Sequence, residues 1–418
     1  MNLTDLKNHV KSAAAFRYRA RLQPAGGAGD KVFPPTYEGG KYAEEVRHIE
    51  GERVPCVHLD SVQSQANRLE EALLEATRAG KFALPRVEVD FRAKAGELQK
   101  AATPGSEEWN ALEDLKTVGV ISSLEAPHRL ADAILRDSRD ITGKRFRETT
   151  EGKFLDSASL KNASGLFEAD PTSLIFGLWD STGPKGGLGV KFQRSIVSEL
   201  VAIDTEKGVK SASRLDPLAI EKEAGVGAIF QSVEGSWTLD VAQAKLNNKK
   251  PLLVGKEGKP SEINHGNVTP SLSVTGGGVT FAYALQTTVI SLPAIRRLQF
   301  PVAGKEASAT NLAGQTTLVA LGLAAAVLSI SKGISLRSRC DLVPEVAGTW
   351  EILKADGQIV SIALTPDEAC ELLNAAVKEA EQAGLKWRKD PLTLFPSDGL
   401  TQLVMKSRAL ASKTKAEG

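Results

Sequence analysis

The sequence predicts an α+β fold. Two strictly alternating stretches, residues 14–22 and 84–91, read as strands. A capped stretch from Asp60 and an alanine-rich stretch over 316–331 read as helices with buried faces. The 418 residues are 42% hydrophobic and 25% charged, an ordinary balance for a globular chain with a sizeable core.

Residues 14–22, AAFRYRARL, put Phe16, Tyr18 and Ala20 on one face and Arg17, Arg19 and Arg21 on the other. The basic face suits an edge strand guarded by charge, and equally a surface for backbone phosphates. Residues 24–30 read as a loop, and Pro34-Pro35 holds 33–40 extended. The strand at 53–59 leads into Asp60-Ser61-Val62-Gln63, close to a capping box. In the helix that follows, Val62, Ala66, Leu69 and Leu73 form the apolar stripe, and Gly80 ends it. Gln63, Ser64, Asn67 and Arg68 lie off that stripe on the first turns, where they are either hydrated or hold phosphate and ribose.

Residues 94–113 are polar and read as a surface excursion. Residues 117–122 read as a strand, and 127–138 as a helix with Leu130, Ile134 and Leu135 inward. Residues 139–161 mix cations, Lys144 and Arg145 among them, with Phe146 and Phe154. Such a segment is a solvated loop or a grip for single-stranded nucleic acid.

The apolar run 174–179 reads as a buried strand. It turns at 180–184 and continues as Lys185-Gly186-Gly187-Leu188-Gly189. Bare glycine backbone admits a ligand close to its N–H groups. Lys185, Lys191 and Arg194 flank the loop, with no acid between Asp180 and Glu199. Ser181, Thr182, Gly186 and Gly187 complete a candidate phosphate-binding set. The apolar positions of 191–204 fit both a helix and a two-sided buried strand. Residues 209–264 are weakly patterned and read as an insertion, and 264–278 as a polar, glycine-rich loop. Residues 279–292 are strongly β-prone. Residues 333–342 place Arg337 and Arg339 on one side of a short strand, opposite Leu336 and Ser338. A helix over 366–384 precedes a polar, frayed terminus.

Charge and cysteine usage narrow the function. With 52 basic and 51 acidic residues, any nucleic-acid surface must be a local cluster. Three distant cysteines and a polar N-terminus without a signal-peptide core lead us to expect the reducing cytoplasm. Cys56 and His58 lack a second pair of zinc ligands, so no metal or other cofactor is expected. The most apolar segment, 318–330, is shorter than the ~20 residues of a membrane span. The loop 180–191 has neither the order of a P-loop nor that of a dinucleotide fingerprint. The alternative is an enzyme, a nucleotide-binding one or a metal-dependent ribonuclease, using that loop, with Asp180 and Asp204 as candidate carboxylates.

Five segments carry a resemblance: FPPTYEGG (33–40), LDSVQSQANRLEEALL (59–74), SLEAPHRLADAILRDS (123–138), FGLWDSTGPKGGLGVKFQRSIVSE (176–199) and LRSRCDL (336–342). In this order they resemble the backbone subunit of the type I-G (formerly I-U) CRISPR effector complex, Cascade, a Cas-seven-type protein of the RAMP superfamily. The resemblance implies a ferredoxin-like, RNA-recognition-type core with large insertions, shaped as palm, fingers and thumb. It implies a single subunit over 1–418, with palm elements from about 14–92, 117–138, 173–204 and 279–342. Insertions then fall at about 93–116, 139–170 and 205–278, and a helical C-terminal part at 343–418. It favours a strand for 191–204 and makes 209–264 a digit reaching a neighbour. It further implies a non-catalytic subunit that polymerises along CRISPR guide RNA. The guide stays free to pair with a target DNA strand. The implied partners are further copies of the chain, a fused Cas-five/Cas-six-type subunit, and the large and small subunits.

Overall fold

A computed structural model describes residues 1–183, 186, 189–220 and 227–416, with side chains to residue 411. Helix α1 (Leu3–Ser12) feeds strand β1 (Ala13–Pro24), whose inward residues Phe16, Tyr18, Ala20 and Leu22 are buried. β1 is not an edge: β5 (Val279–Ser291) pairs with one side, and β7 (Asp341–Pro344) and β8 (Thr349–Lys354) share the other. Beyond β5 lie β4 (Ile196–Lys207), β3 (Glu52–Asp60) and β2 (Glu44–Ile49), all antiparallel. β6 (Ile334–Ser335) and β9 (Ile359–Ile362) complete a sheet of nine strands among the described residues.

Helices α2 (Val62–Arg78), α3 (Ala307–Ser331) and α4 (Pro366–Gln382) belong to the same core. α3 is apolar all round because it is enclosed all round. It is long and apolar enough to cross a membrane, and 89% of its apolar window is buried inside the protein. A Cβ on its Gly322 would meet Ile290 of β5 at 3.3 Å and Ile196 of β4 at 3.8 Å, and Thr317 donates to the Ala376 carbonyl of α4 at 3.1 Å. Leaving aside the β2–β3 hairpin, the chain runs β1, α2, β4, β5, α3, β7–β8. In the sheet these strands lie in the order β7/β8, β1, β5, β4. Val120–Ser122, Val87–Asp90, Leu392–Pro396 and Ser138–Arg139, in that order, form a separate four-stranded sheet.

The α+β class agrees with the sequence; at 191–204, where the residues fit both a helix and a strand, the strand that the resemblance favours is present as β4, beginning at Ile196. Several segments differ. The run at 174–179 is strand only at Leu178–Trp179; its first half belongs to a helix, Thr172–Phe176, whose residues are all buried. Asp170 accepts hydrogen bonds from the hydroxyls of Thr172 and Ser173, and Gly177, at φ +91, ends the helix. Residues 94–113 contribute to two helices, Phe91–Gln99 and Glu107–Lys116, whose Ala95, Leu112 and Leu115 are buried in the core. Residues 127–138 split into Arg129–Ala131 and Ala133–Arg136, because the Asp132 carboxylate accepts from the backbone of both His128 and Ile134. The terminus is not frayed over 398–416, where it forms α5 (Asp398–Ala416). Between β4 and β5 the weakly patterned region is a two-stranded ribbon, Lys210–Arg214 with Val268–Ser273, that carries smaller hairpins.

Candidate nucleic-acid interface

Three of the segments that carry the resemblance meet in space. Residues 336–340 form the turn of a hairpin between β6 and β7, closed by hydrogen bonds between Leu336 and Cys340 and from Cys340 N–H to Arg337 O. This corrects the expected short strand. Arg339 adopts φ +59, so Arg337 and Arg339 are set by a turn and not by strand alternation. Arg337 donates to the Pro34 carbonyl at 3.1 Å, and the Arg339 guanidinium lies 4.5 Å from the Phe33 ring centroid. Helix α2 braces the turn from behind: Arg68 binds Asp60 at 2.9 Å and donates to the carbonyls of Ser335 and Leu336. Asp60 is buried and also accepts from Gln65 at 2.6 Å, and Gln65 accepts from Ser198 of β4 at 2.8 Å.

The turn and the 33–42 segment wall a cleft of about 440 Å³ lined by Phe33, Pro34, Tyr42, Lys210, Arg337 and Arg339, among others. Its far wall is the neck of the ribbon, where Tyr42 Oη accepts the Gly278 N–H at 2.8 Å. No carboxylate among the described residues pairs with Lys210, Arg337 or Arg339. Three unneutralised cations around one cleft make the local positive field that the near-zero net charge requires. Lys210 and Tyr42 were not legible as site residues, since a lone Lys after Gly208 carries no signal without the ribbon's pairing.

The other candidates divide. Gln63 and Asn67 are exposed on the first turns of α2, Ser64 is half-buried with its N–H capped by Ser61, and Arg68 is committed to holding the arginine turn. On the sheet face away from α3, Arg17 pairs with Glu351 at 2.7 Å, and Arg21 pairs with Glu345 while covering Tyr283. Only Arg19 of this trio has no carboxylate partner among the described residues. The face is therefore close to charge balance.

The glycine-rich loop leaves a hairpin of Leu178–Trp179 with Lys191–Phe192. Lys185 and Gly187 lie outside the described residues. Ser181, Thr182, Lys191 and Arg194 are exposed, and Gly186, at φ +54, donates its N–H to Gly183 O. Arg194 donates to the Phe176 carbonyl at 3.2 Å. Asp180 is buried and ion-paired with Arg147, which ties the loop to the basic segment. That segment does not offer Phe146 for stacking, because the ring is buried. Lys144 and Arg145 are exposed. Arg145 borders a larger cleft of about 670 Å³ whose other arginines, Arg136, Arg139 and Arg147, already bond Asp137, the Gly143 carbonyl and Asp180. A Gly189→Ala change is expected to lower the melting temperature and weaken nucleic-acid binding together, because its Cβ would fall 1.8 Å from the backbone carbonyl oxygen of the buried Asp180, which must shift to make room. Filter binding beside a thermal melt checks this.

The two sides are linked through α2. Arg129 makes two bonds to Glu70, at 2.6 and 2.8 Å, and a third to the Gly177 carbonyl at 3.0 Å. Burial pushes the Glu70 carboxyl up from 4.5 to about 7, against the pull of Arg129. Asp180 and Asp204 are not brought together: Asp180 is buried against Arg147, and Asp204 is exposed on the distal half of β4. No group of three or more potential metal ligands occurs among the described residues. Cys56, Cys340 and Cys370 are buried free thiols, and burial pushes Cys340 up to about 12.

Residues 16–207 match a protein family described as CRISPR-associated protein GSU0053. The matched stretch takes in β1, α2 and the glycine-rich hairpin, and it ends with β4. The likeness suggests a role in CRISPR defence alongside components of a CRISPR complex. No curated protein compared with the chain matches it.

Proposed function

We propose that the chain is a non-catalytic, guide-RNA-binding backbone subunit of a type I-G Cascade complex, acting in the cytoplasm. The observation that carries this is the cleft between the arginine turn, the 33–42 segment and the ribbon neck, where Lys210, Arg337 and Arg339 stand without acidic partners among the described residues. Such a site grips phosphates without reading bases, which is what a subunit that leaves its guide free for pairing needs. The strand order supports a ferredoxin-like RAMP core. Four antiparallel strands in the order 4-1-3-2, with helices after the first and third, are the split βαβ arrangement. The ribbon between β4 and β5 is the digit proposed to contact the next copy along the guide. The remaining partners are the target DNA strand and the fused, large and small subunits.

The test is to incubate the purified chain with labelled guide RNA and target strands, with and without magnesium or manganese. Binding with every strand intact is the expected result. Metal-dependent cleavage that is lost in Asp180→Asn would replace this reading with a nuclease.

A further inference from the structure

We propose that Trp179 is a stacking platform for one nucleobase of single-stranded RNA, with Lys191 beside it for the adjoining phosphate; this rests on the RNA-binding reading above. The hairpin that carries Trp179 has two residues in each strand, Leu178–Trp179 against Lys191–Phe192. Successive residues of a strand point to opposite faces, so each cross-strand pair has one side. Leu178 and Phe192 are directly opposite and both buried. Trp179 and Lys191 are directly opposite and both exposed, with Trp179 at 54%. The Lys191 ammonium stands over one face of the indole, 5.3 Å from its centroid, so a base would stack on the opposite face.

The outward position is imposed on the indole. Its chain neighbours, Leu178 and Asp180, are buried, and Asp180 is held by Arg147 and by its own N–H bond to the Val190 carbonyl at 3.0 Å. One residue earlier, the Gly177 carbonyl receives Arg129 at 3.0 Å. Trp179 therefore cannot turn inward without breaking these ties. A fixed, solvent-facing indole next to an ammonium offers the two surfaces one nucleotide presents: a π face for the base and a cation for the phosphate. Every base has a π face, so the contact tolerates any guide sequence. That suits a subunit repeated along a variable RNA.

The experiment compares the full chain with Trp179→Ala, Trp179→Phe and Lys191→Ala by fluorescence anisotropy. The probes are a short labelled single-stranded RNA and a matched strand with abasic spacers, which keeps the phosphates and lacks bases. Wild type should prefer the base-bearing strand. Trp179→Ala should bind it about 5- to 150-fold more weakly, as loss of one stacked base implies, and should bind the abasic strand as wild type does. Trp179→Phe should recover most of the loss, and Lys191→Ala should weaken both strands alike. Equal binding of the base-bearing strand by Trp179→Ala and wild type would overturn the stacking role alone. A changed oligomeric state with unchanged RNA affinity would overturn it in favour of a protein contact. Wild type that binds neither probe would remove both this inference and the RNA-binding reading.

Discussion

Reversing both charges of the arginine turn, Arg337→Glu with Arg339→Glu, is expected to abolish retention of guide RNA while the protein stays folded. Both side chains are exposed and neither carries an ion pair among the described residues, so the fold loses only the Arg337 bond to the Pro34 carbonyl and the Arg339 contact with Phe33. The backbone bonds between Leu336 and Cys340 that shape the turn do not involve the guanidinium groups. Each arginine that contacts a phosphate displaces a counterion, and for single strands the salt slope changes by about 0.7 per phosphate. Neutralising both, as Gln, should therefore flatten the slope of log affinity against log salt by about 1.4. The Glu pair adds repulsion and takes binding below detection at moderate salt. A salt titration of both variants, with a thermal melt, checks this. An unchanged slope would move the phosphate site elsewhere.

Arg129→Ala is expected to be the most damaging single substitution to stability. Arg129 and Glu70 are both buried, and Arg129 is the residue that bonds the Glu70 carboxylate on two atoms. Its loss strands a buried charge, which costs about 3–5 kcal/mol, and frees the Gly177 carbonyl at the root of the glycine-rich hairpin. The loss should depend on pH. In wild type the folded Glu70 carboxyl titrates near 7 and the unfolded one near 4.5. The native state thus holds the extra proton, so this group's contribution is fully present below 4.5 and lost as pH rises through about 7. Without Arg129 the folded value moves higher, so Arg129→Ala should be nearest wild type in acid and weakest in alkali. Urea unfolding on both sides of neutrality measures this, and a pH-independent deficit would contradict it. Glu70→Gln combined with Arg129→Met should recover part of the loss.

Apart from α3, which is enclosed all round and was legible by its length and alanine content, the elements that were legible in the sequence have one wet face. In β1 the alternation of Phe16, Tyr18 and Ala20 with arginines survives folding, because water lies on the arginine side. β4 was ambiguous for the opposite reason: Leu200, Val201, Ala202 and Ile203 are all buried, two of them against Cys56 on the second face. The helix Thr172–Phe176 was misread because an apolar run enclosed on all sides has no periodicity to show. The arginine turn imitated a strand, since Leu-Arg-Ser-Arg alternates in type while Arg339 sits at a positive φ. Within the candidate site, the arginines at 337 and 339 were legible as cations. The partners that decide which cations are free were not. Arg17, Arg21 and Arg68 look equivalent to Arg337 in the sequence, and only the registers of β1 with β7 and β8 and the reach of α2 show that they are occupied.

In the proposed function, copies of this chain tile a guide through the cleft at the arginine turn. The most direct measurement is on protein co-expressed with a repeat–spacer array, treated with nuclease and run on a denaturing gel. A protected RNA ladder with a regular step, absent from the Arg337→Glu/Arg339→Glu variant, is the predicted result. RNA-free protein, or a ladder that persists in the variant, would contradict it.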